Sequence, residues 1–290
     1  MALPESRFVA SFDGAPIAYR SYGSGQPTVL LSNGIGCNQA YVDHAIRALA
    51  AQTRVVIWDY RGHLDSAAVD DPRALTVETC LRDMRAVTAA LGDGPLVLAG
   101  FSMGVQLSLE YLHRHPRRVH GLIALLGTYE YPLRSFFHMG RAGEAIVPGT
   151  LAAARRWPRA ARRVWRSVLG GGWVFPLAKL LVLNPAAAGR DDFESWRRHL
   201  AGVDPLVFLQ LGVYLSAHSA AHGLERLAGL PCLVVAGDRD NFTPLAVCRK
   251  LHERAPGSEW FVIPGGSHGG LFEFPDVVGP RLQAFWRKHF

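Results

Sequence analysis

The chain has 290 residues, 49% hydrophobic and 19% charged, enough to bury one large core with an insertion beside it. Its four cysteines, Cys37, Cys80, Cys232 and Cys248, are scattered and form no CxxC pair, which argues against a zinc site or a disulfide framework and for a reducing compartment. The net charge of +7 keeps acidic partners in view, while no uncharged apolar run reaches the roughly 18–20 residues of a membrane span.

The first segment, MALPESRFVASFDG, lacks the basic start and continuous apolar stretch of a secretory signal, so a cytoplasmic location is expected. RFVASFDGAPIAYRSYG alternates apolar and polar residues around Asp13-Gly14 and predicts a β-hairpin, because Asp-Gly tolerates the positive φ of a tight turn. Short apolar runs then recur: TVLLSNG, RVVIWDY, LVLAGFS, GLIALLGT, CLVVAGD and WFVIPGG. Helical periodicity fills most intervals, as over Thr76–Leu91 and Met103–His115. Continuous apolar strands alternating with helices imply an α/β fold with a parallel sheet buried on both faces.

One interval breaks this rhythm. Between Thr128 and Cys232 no strand is predicted; helical segments fall around Arg159–Leu169, Phe175–Leu183, Asp192–Ala201 and Leu206–Ser216. The expected organisation is a core over 1–128, a helical insertion over 129–216 and the rest of the core over 217–290.

VLAGFSMGVQ places Ser102 between Gly100 and Gly104, after a buried strand and before an amphipathic helix. A serine hydroxyl becomes a nucleophile only when a base takes its proton, and G-x-S-x-G at a strand-to-helix junction presents it on a sharp turn. A carboxylate and a histidine should follow, each at the end of a later strand. CLVVAGDRDNFTP offers Asp238 and Asp240, and WFVIPGGSHGG offers His268. These positions lie at the carboxyl ends of strands, where ligands gather in open α/β sheets.

On these residues the sequence resembles the α/β-hydrolase superfamily over nearly all of the chain outside the insertion. The resemblance implies a mostly parallel sheet with an N-terminal hairpin, helices on both faces and a helical cap after the sixth strand. The family's acid sits in G-x-x-D-x-x-x-P, here Gly237, Asp240 and Pro244, so Asp240 is preferred and Asp238 is expected to cap the turn. Glu130, one strand earlier, is the weaker candidate. The resemblance places the oxyanion donors at the backbone N–H groups of Ile35 and Met103. Asn33 stands where the family usually has histidine, and in DYRGHLDS Leu64 stands where it usually has glycine. Arg61 and His63 are read as holding that loop to the sheet. A serine nucleophile argues against the epoxide hydrolases and haloalkane dehalogenases of the superfamily, which use aspartate.

The expected activity is hydrolysis of a carboxylic ester with an apolar acyl or alcohol part, through an acyl-serine. The same triad could serve a lactone, a thioester, a C–C bond or acyl transfer; a small-molecule receptor with a hydrolase fold is the alternative of another class. No cofactor or metal is required. NGIGCNQ with Asp59 imitates a dinucleotide motif but lacks its third glycine. His218 and His222 are spaced like metal ligands but are read as surface histidines without a third ligand. Expected pocket liners are Phe136, Phe137, Met139, Trp173, Phe175, Phe208 and Tyr214.

In PRAARRVWRSVLGGG the arginines Arg159, Arg162, Arg163 and Arg166 fall on one side and Ala161, Val164, Trp165 and Val168 on the other, expected to face the cap interior or the pocket. Weak contact of this helix with an anionic membrane surface is an expectation; nucleic acid is not an expected partner.

Overall fold

The computed structural model describes residues 4–290 except 136, 138 and 139. The strands are β1 (Arg7–Ala10), β2 (Pro16–Tyr22), β3 (Thr28–Ser32), β4 (Val55–Trp58), β5 (Leu96–Phe101), β6 (Val119–Leu125), β7 (Cys232–Gly237) and β8 (Glu259–Ile263). They form one sheet in the order β1-β2-β4-β3-β5-β6-β7-β8. β1 and β2 make the antiparallel hairpin, with Phe8 opposite Ala18 and Gly14 at φ +83 in the turn. β2 also runs antiparallel to β4, and every later pairing is parallel.

Every residue of β3, β4, β5 and β7 is buried, which is why these segments read as unbroken apolar runs. Helices α1 (Asp43–Ala50), α2 (Val77–Ala90) and α3 (Met103–Arg114) separate the first parallel strands. Thr76 starts α2 by accepting the Thr79 N–H at 3.1 Å. Leu30, Leu98, Leu122 and Val234 point to the sheet face covered by Met84 of α2 and Leu107 of α3. Val29, Leu31, Val97 and Ala99 point to the other, covered by Ile46 and Leu49 of α1 and, near the C-terminus, by Leu282 and Phe285. The chain leaves β3 outward to β4 and returns across it to β5. The carboxyl ends of β3 and β5 therefore flank the crevice where strand order reverses.

Between β6 and β7 the described residues form helices α4 (Pro132–Ser135), α5 (Arg141–Arg156), α6 (Pro158–Gly170), α7 (Val174–Leu181), α8 (Arg190–Gly202) and α9 (Pro205–Ala217), with no strand. The last four match the periodic segments of the sequence. α5 lies where no helical segment is predicted, and Gly143, Pro148 and Gly149 within it are poor helix formers. It persists through Pro148 because Leu151 and Ala154 pack with Leu206 of α9, and that burial outweighs the lost backbone hydrogen bond. After β7 come α10 (Leu245–Glu253), α11 (Gly270–Glu273) and α12 (Pro275–His289). Among the described residues no single helix is long and apolar enough to cross a membrane.

The orientation of α6 departs from the sequence reading. Ala161 and Trp165 do turn inward, with Trp165 Nε1 donating to Leu200 O at 2.9 Å, but Val164 and Val168 are 60% and 42% exposed. The buried stripe runs through Pro158, Ala161, Trp165 and Leu169, with Arg162 beside it paired to Asp204. The arginines and the valines thus occupy the two flanks of one solvent-facing surface.

Candidate active site

Ser102 follows β5 with φ 52 and ψ −114, a conformation that non-glycine residues avoid and that costs on the order of 1–3 kcal/mol. Its two glycines are required by close backbone approach. A Cβ on Gly104 would lie 1.9 Å from Ser32 O, and one on Gly100 would lie 2.4 Å from the Gly104 carbonyl. The small residues let α3 start directly against β3 and β5, so the turn cannot relax.

Ser102 Oγ lies 3.0 Å from His268 Nε2, and His268 Nδ1 lies 2.8 Å from Asp240 Oδ2. A carboxylate only accepts, so this pairing places the ring proton on Nδ1 and leaves Nε2 to accept from the serine hydroxyl. The imidazole is stacked on Phe242 at 4.9 Å and tilted against Phe101 at 5.1 Å. Asp240 Oδ1 accepts from the N–H groups of Phe242 (2.7 Å) and Thr243 (2.9 Å), and Oδ2 accepts from Thr243 Oγ1 (2.8 Å). The carboxylate is 3% exposed yet fully partnered, as a buried charge must be.

The loop after β3 lies beside this group. Asn33 Oδ1 accepts from Gly34 N–H and its Nδ2 donates to Asn38 O, both at 2.9 Å, which closes the loop on itself. Gly36 N–H donates to His63 Nε2 at 3.1 Å, while His63 Nδ1 pairs with Arg61 O at 3.1 Å. Burial holds the His63 pKa down at about 4, so it is a neutral acceptor at ordinary pH. Arg61 in turn spans Asp83 (2.7 Å) and Asp13 (2.5 Å). The N–H groups of Ile35 and Met103 donate to no protein acceptor among the described residues, and both residues line the same cavity as Ser102 and His268.

That cavity measures about 400 Å³, the size of a small-molecule site, and its wall is mainly aliphatic and aromatic. α3 and the loop after β3 supply its floor, and α7, α8 and α9 its opposite wall, through residues such as Leu177, Trp196, Phe208 and Leu215. The serine–histidine–aspartate chain, two free donors and an apolar enclosure coincide in one place.

The model of the alpha/beta hydrolase fold family matches the chain over residues 27–275. The protein belongs to the α/β-hydrolase family. It is 26% identical over 273 residues to the pimeloyl-[acyl-carrier protein] methyl ester esterase of Aeromonas hydrophila, covering 93% of this chain and 98% of that one. An esterase from Thermogutta terrifontis superposes with a TM-score of 0.78 at 19% identity, covering 99% and 100% of the two chains. A bromoperoxidase from Bacillus anthracis gives 0.79 at 20% identity, covering 98% and 100%. The family match and the esterase relative support hydrolase activity, and the two solved structures show the fold.

In this hydrolase Phe208 is in the cavity wall. Phe137 sits just behind it, its ring 5.4 Å from that of Phe242, and Phe175 backs the lining residue Phe193 at 5.0 Å. Trp173 is 50% exposed, Tyr214 is half-buried on α9, and neither is in the wall. Phe136 and Met139 lie outside the described residues. Asp238 does not cap the turn: it is exposed, and the local N–H groups go to Asp240 instead. Glu130 is occupied by Ser219 Oγ at 3.3 Å. Asp59 is paired with Arg20 at 3.1 Å, so it is not a free ribose acceptor. Both Nε2 atoms of His218 and His222 lie 2.8 Å from Glu110 Oε1 on α3, and among the described residues no group of three such side chains is arranged to hold a metal ion. Burial raises the Glu110 pKa, but the two imidazoles outweigh it and the carboxyl stays below its ordinary range.

Several supporting residues had no legible signal. Glu273 accepts from Ser267 N–H (3.0 Å), Ser267 Oγ (2.6 Å) and Asn184 N–H (2.8 Å), bracing the turn before His268; burial raises its pKa. Asn38 Nδ2 donates to Ser195 Oγ at 3.1 Å, tying the loop after β3 to α8. Only the Asx-type pattern D-x-x-T hinted at Thr243.

Proposed function

We propose that the protein is a cytoplasmic serine hydrolase that cleaves a carboxylic ester with an apolar acyl or alcohol part, the helices between β6 and β7 serving as its cap. The observation that carries this reading is the chain Ser102 Oγ–His268 Nε2–Asp240, at 3.0 and 2.8 Å, facing an apolar cavity. Ser102 Oγ attacks the carbonyl carbon while His268 Nε2 takes its proton, and Asp240 holds the imidazole and stabilises its cation. The carbonyl oxygen, now anionic, is received by Ile35 N–H and Met103 N–H, the second of which also lies at the N-terminus of α3. His268 then passes the proton to the departing alcohol, and water reverses the sequence to release the acid. Each methylene buried in the cavity contributes about 0.8 kcal/mol, so a chain or ring rather than a polar group suits its wall. The four free thiols fit a reducing cytoplasm.

A panel of p-nitrophenyl esters of increasing acyl length, assayed with wild type and S102A, tests this. Wild type is expected to turn over the apolar esters with a burst of p-nitrophenol, and S102A to lose that burst and the turnover. Equal activity in both proteins eliminates Ser102 as the nucleophile.

A further inference from the structure

Residues 155–179 contain seven basic residues and no aspartate or glutamate. The remaining 24 basic residues of the chain are matched by its 24 acidic ones, so the whole net charge of +7 sits on the end of α5, α6 and α7. Two of the seven serve the fold: Arg162 pairs with Asp204 at 2.7 Å, and Arg155 bonds Gln210. Arg159, Arg163 and Arg166 are exposed and have no ion-pair or hydrogen-bond partner among the described residues. Arg156 lies only over the ring of Trp157, at 5.7 Å.

Between residues 157 and 180 the chain also carries Trp157, Val164, Val168, Trp173, Leu177 and Leu180, exposed by 41% to 78%. They are half of the large apolar side chains exposed among the described residues, gathered in one-twelfth of the chain. A merely solvated arginine face would not keep two tryptophans and a leucine in water. A nucleic acid or an acidic protein would take the arginines and leave Leu180 hydrated. An anionic bilayer accommodates both sets at once: guanidinium groups at the phosphates, tryptophans at the headgroup level, and leucine and valine at the acyl boundary.

We propose that α6 and α7 form a docking surface for an anionic lipid bilayer. The inference is independent of the role assigned to Ser102. It has a consequence for access, because Val174, Leu177 and Ala178 of α7 also line the cavity, so one helix faces the bilayer and the binding space.

Flotation with vesicles of equimolar phosphatidylcholine and phosphatidylglycerol, compared with phosphatidylcholine alone, tests the proposal. Wild type is expected to bind only the anionic vesicles and to be released by high salt. Each basic residue at such a surface contributes about five-fold, so R156Q/R159Q/R163Q/R166Q should weaken binding by more than about 100-fold. A variant of identical net charge altered elsewhere on the exposed surface, R7Q/R117Q/K250Q/R287Q, should bind as wild type does. W173A/L180A should lose about ten-fold through its apolar contribution alone. Far-UV circular dichroism and the thermal midpoint confirm that each variant is folded. Absence of vesicle binding by wild type overturns the proposal. So does equal loss in both charge variants, unchanged binding by W173A/L180A, or binding of RNA or polyglutamate without vesicles.

Discussion

Acidification puts a proton on a side chain that the loop after β3 needs neutral. His63 is 2% exposed, accepts Gly36 N–H and has its pKa lowered by burial from 6.5 to about 4. Its folded value lies below its unfolded one, so the unfolded chain takes the proton first. The stability this histidine contributes is complete above pH 6.5 and is lost as the pH falls towards 4. At about 1.36 kcal/mol per pH unit the gap is worth about 3 kcal/mol in full and about 2 kcal/mol at pH 5. Asp59 opposes it, since burial raises its pKa to about 6 against the pull of Arg20, and its contribution grows as the pH falls below that value. Wild-type stability alone therefore hides the effect. H63Q isolates it, because a glutamine carbonyl can accept from Gly36 without titrating, while Asp59 titrates in both proteins and cancels. The buried His199, its ring 5.8 Å from that of His63, is relieved of the His63 charge in H63Q, which shifts the difference in the same direction. Urea unfolding of the pair near neutral pH and at about pH 5 should show the wild-type advantage shrinking by about 2 kcal/mol. An advantage that stays constant between the two pH values refutes the neutral, buried His63.

Two further substitutions probe the frame around the site. E273Q removes an acceptor from a carboxylate bonded by Ser267 N–H, Ser267 Oγ and Asn184 N–H. It should cost about 1–3 kcal/mol and lower kcat more than it raises KM; wild-type values of both the thermal midpoint and kcat would show that Glu273 does not brace His268. Leu64, 44% exposed, adopts φ 45, a left-handed conformation that burdens a side chain by roughly 1–2 kcal/mol. L64G should therefore raise stability by about 0.5–1 kcal/mol after the entropy of glycine is charged against it, and a destabilised variant contradicts the argument.

Strands and helices of the core were legible because their signals are local. Burial on both faces leaves unbroken apolar runs, and Gly100 and Gly104 mark the turn because no Cβ fits there. Ser102, Asp240 and His268 were legible for a related reason: each ends a strand, and strand ends converge at the reversal of strand order. α5 was illegible because Pro148 contradicts it locally, and only packing against α9 decides the outcome. The roll of α6 was misread by part of a turn, since periodicity defines two faces without saying which way they point.

The sequence by itself determined the α/β class, the order of the elements, the chemistry available at three strand ends and the concentration of positive charge in one insertion. Tertiary structure alone decided which polar residues brace the His268 turn and the loop after β3. It also decided which aromatics form the cavity wall and that Val164 and Val168 stand in solvent beside the arginines. Composition and short spacing are encoded locally, whereas partners such as Glu273, or the opposing walls of a cavity, are contacts between distant segments. No local pattern fixes them.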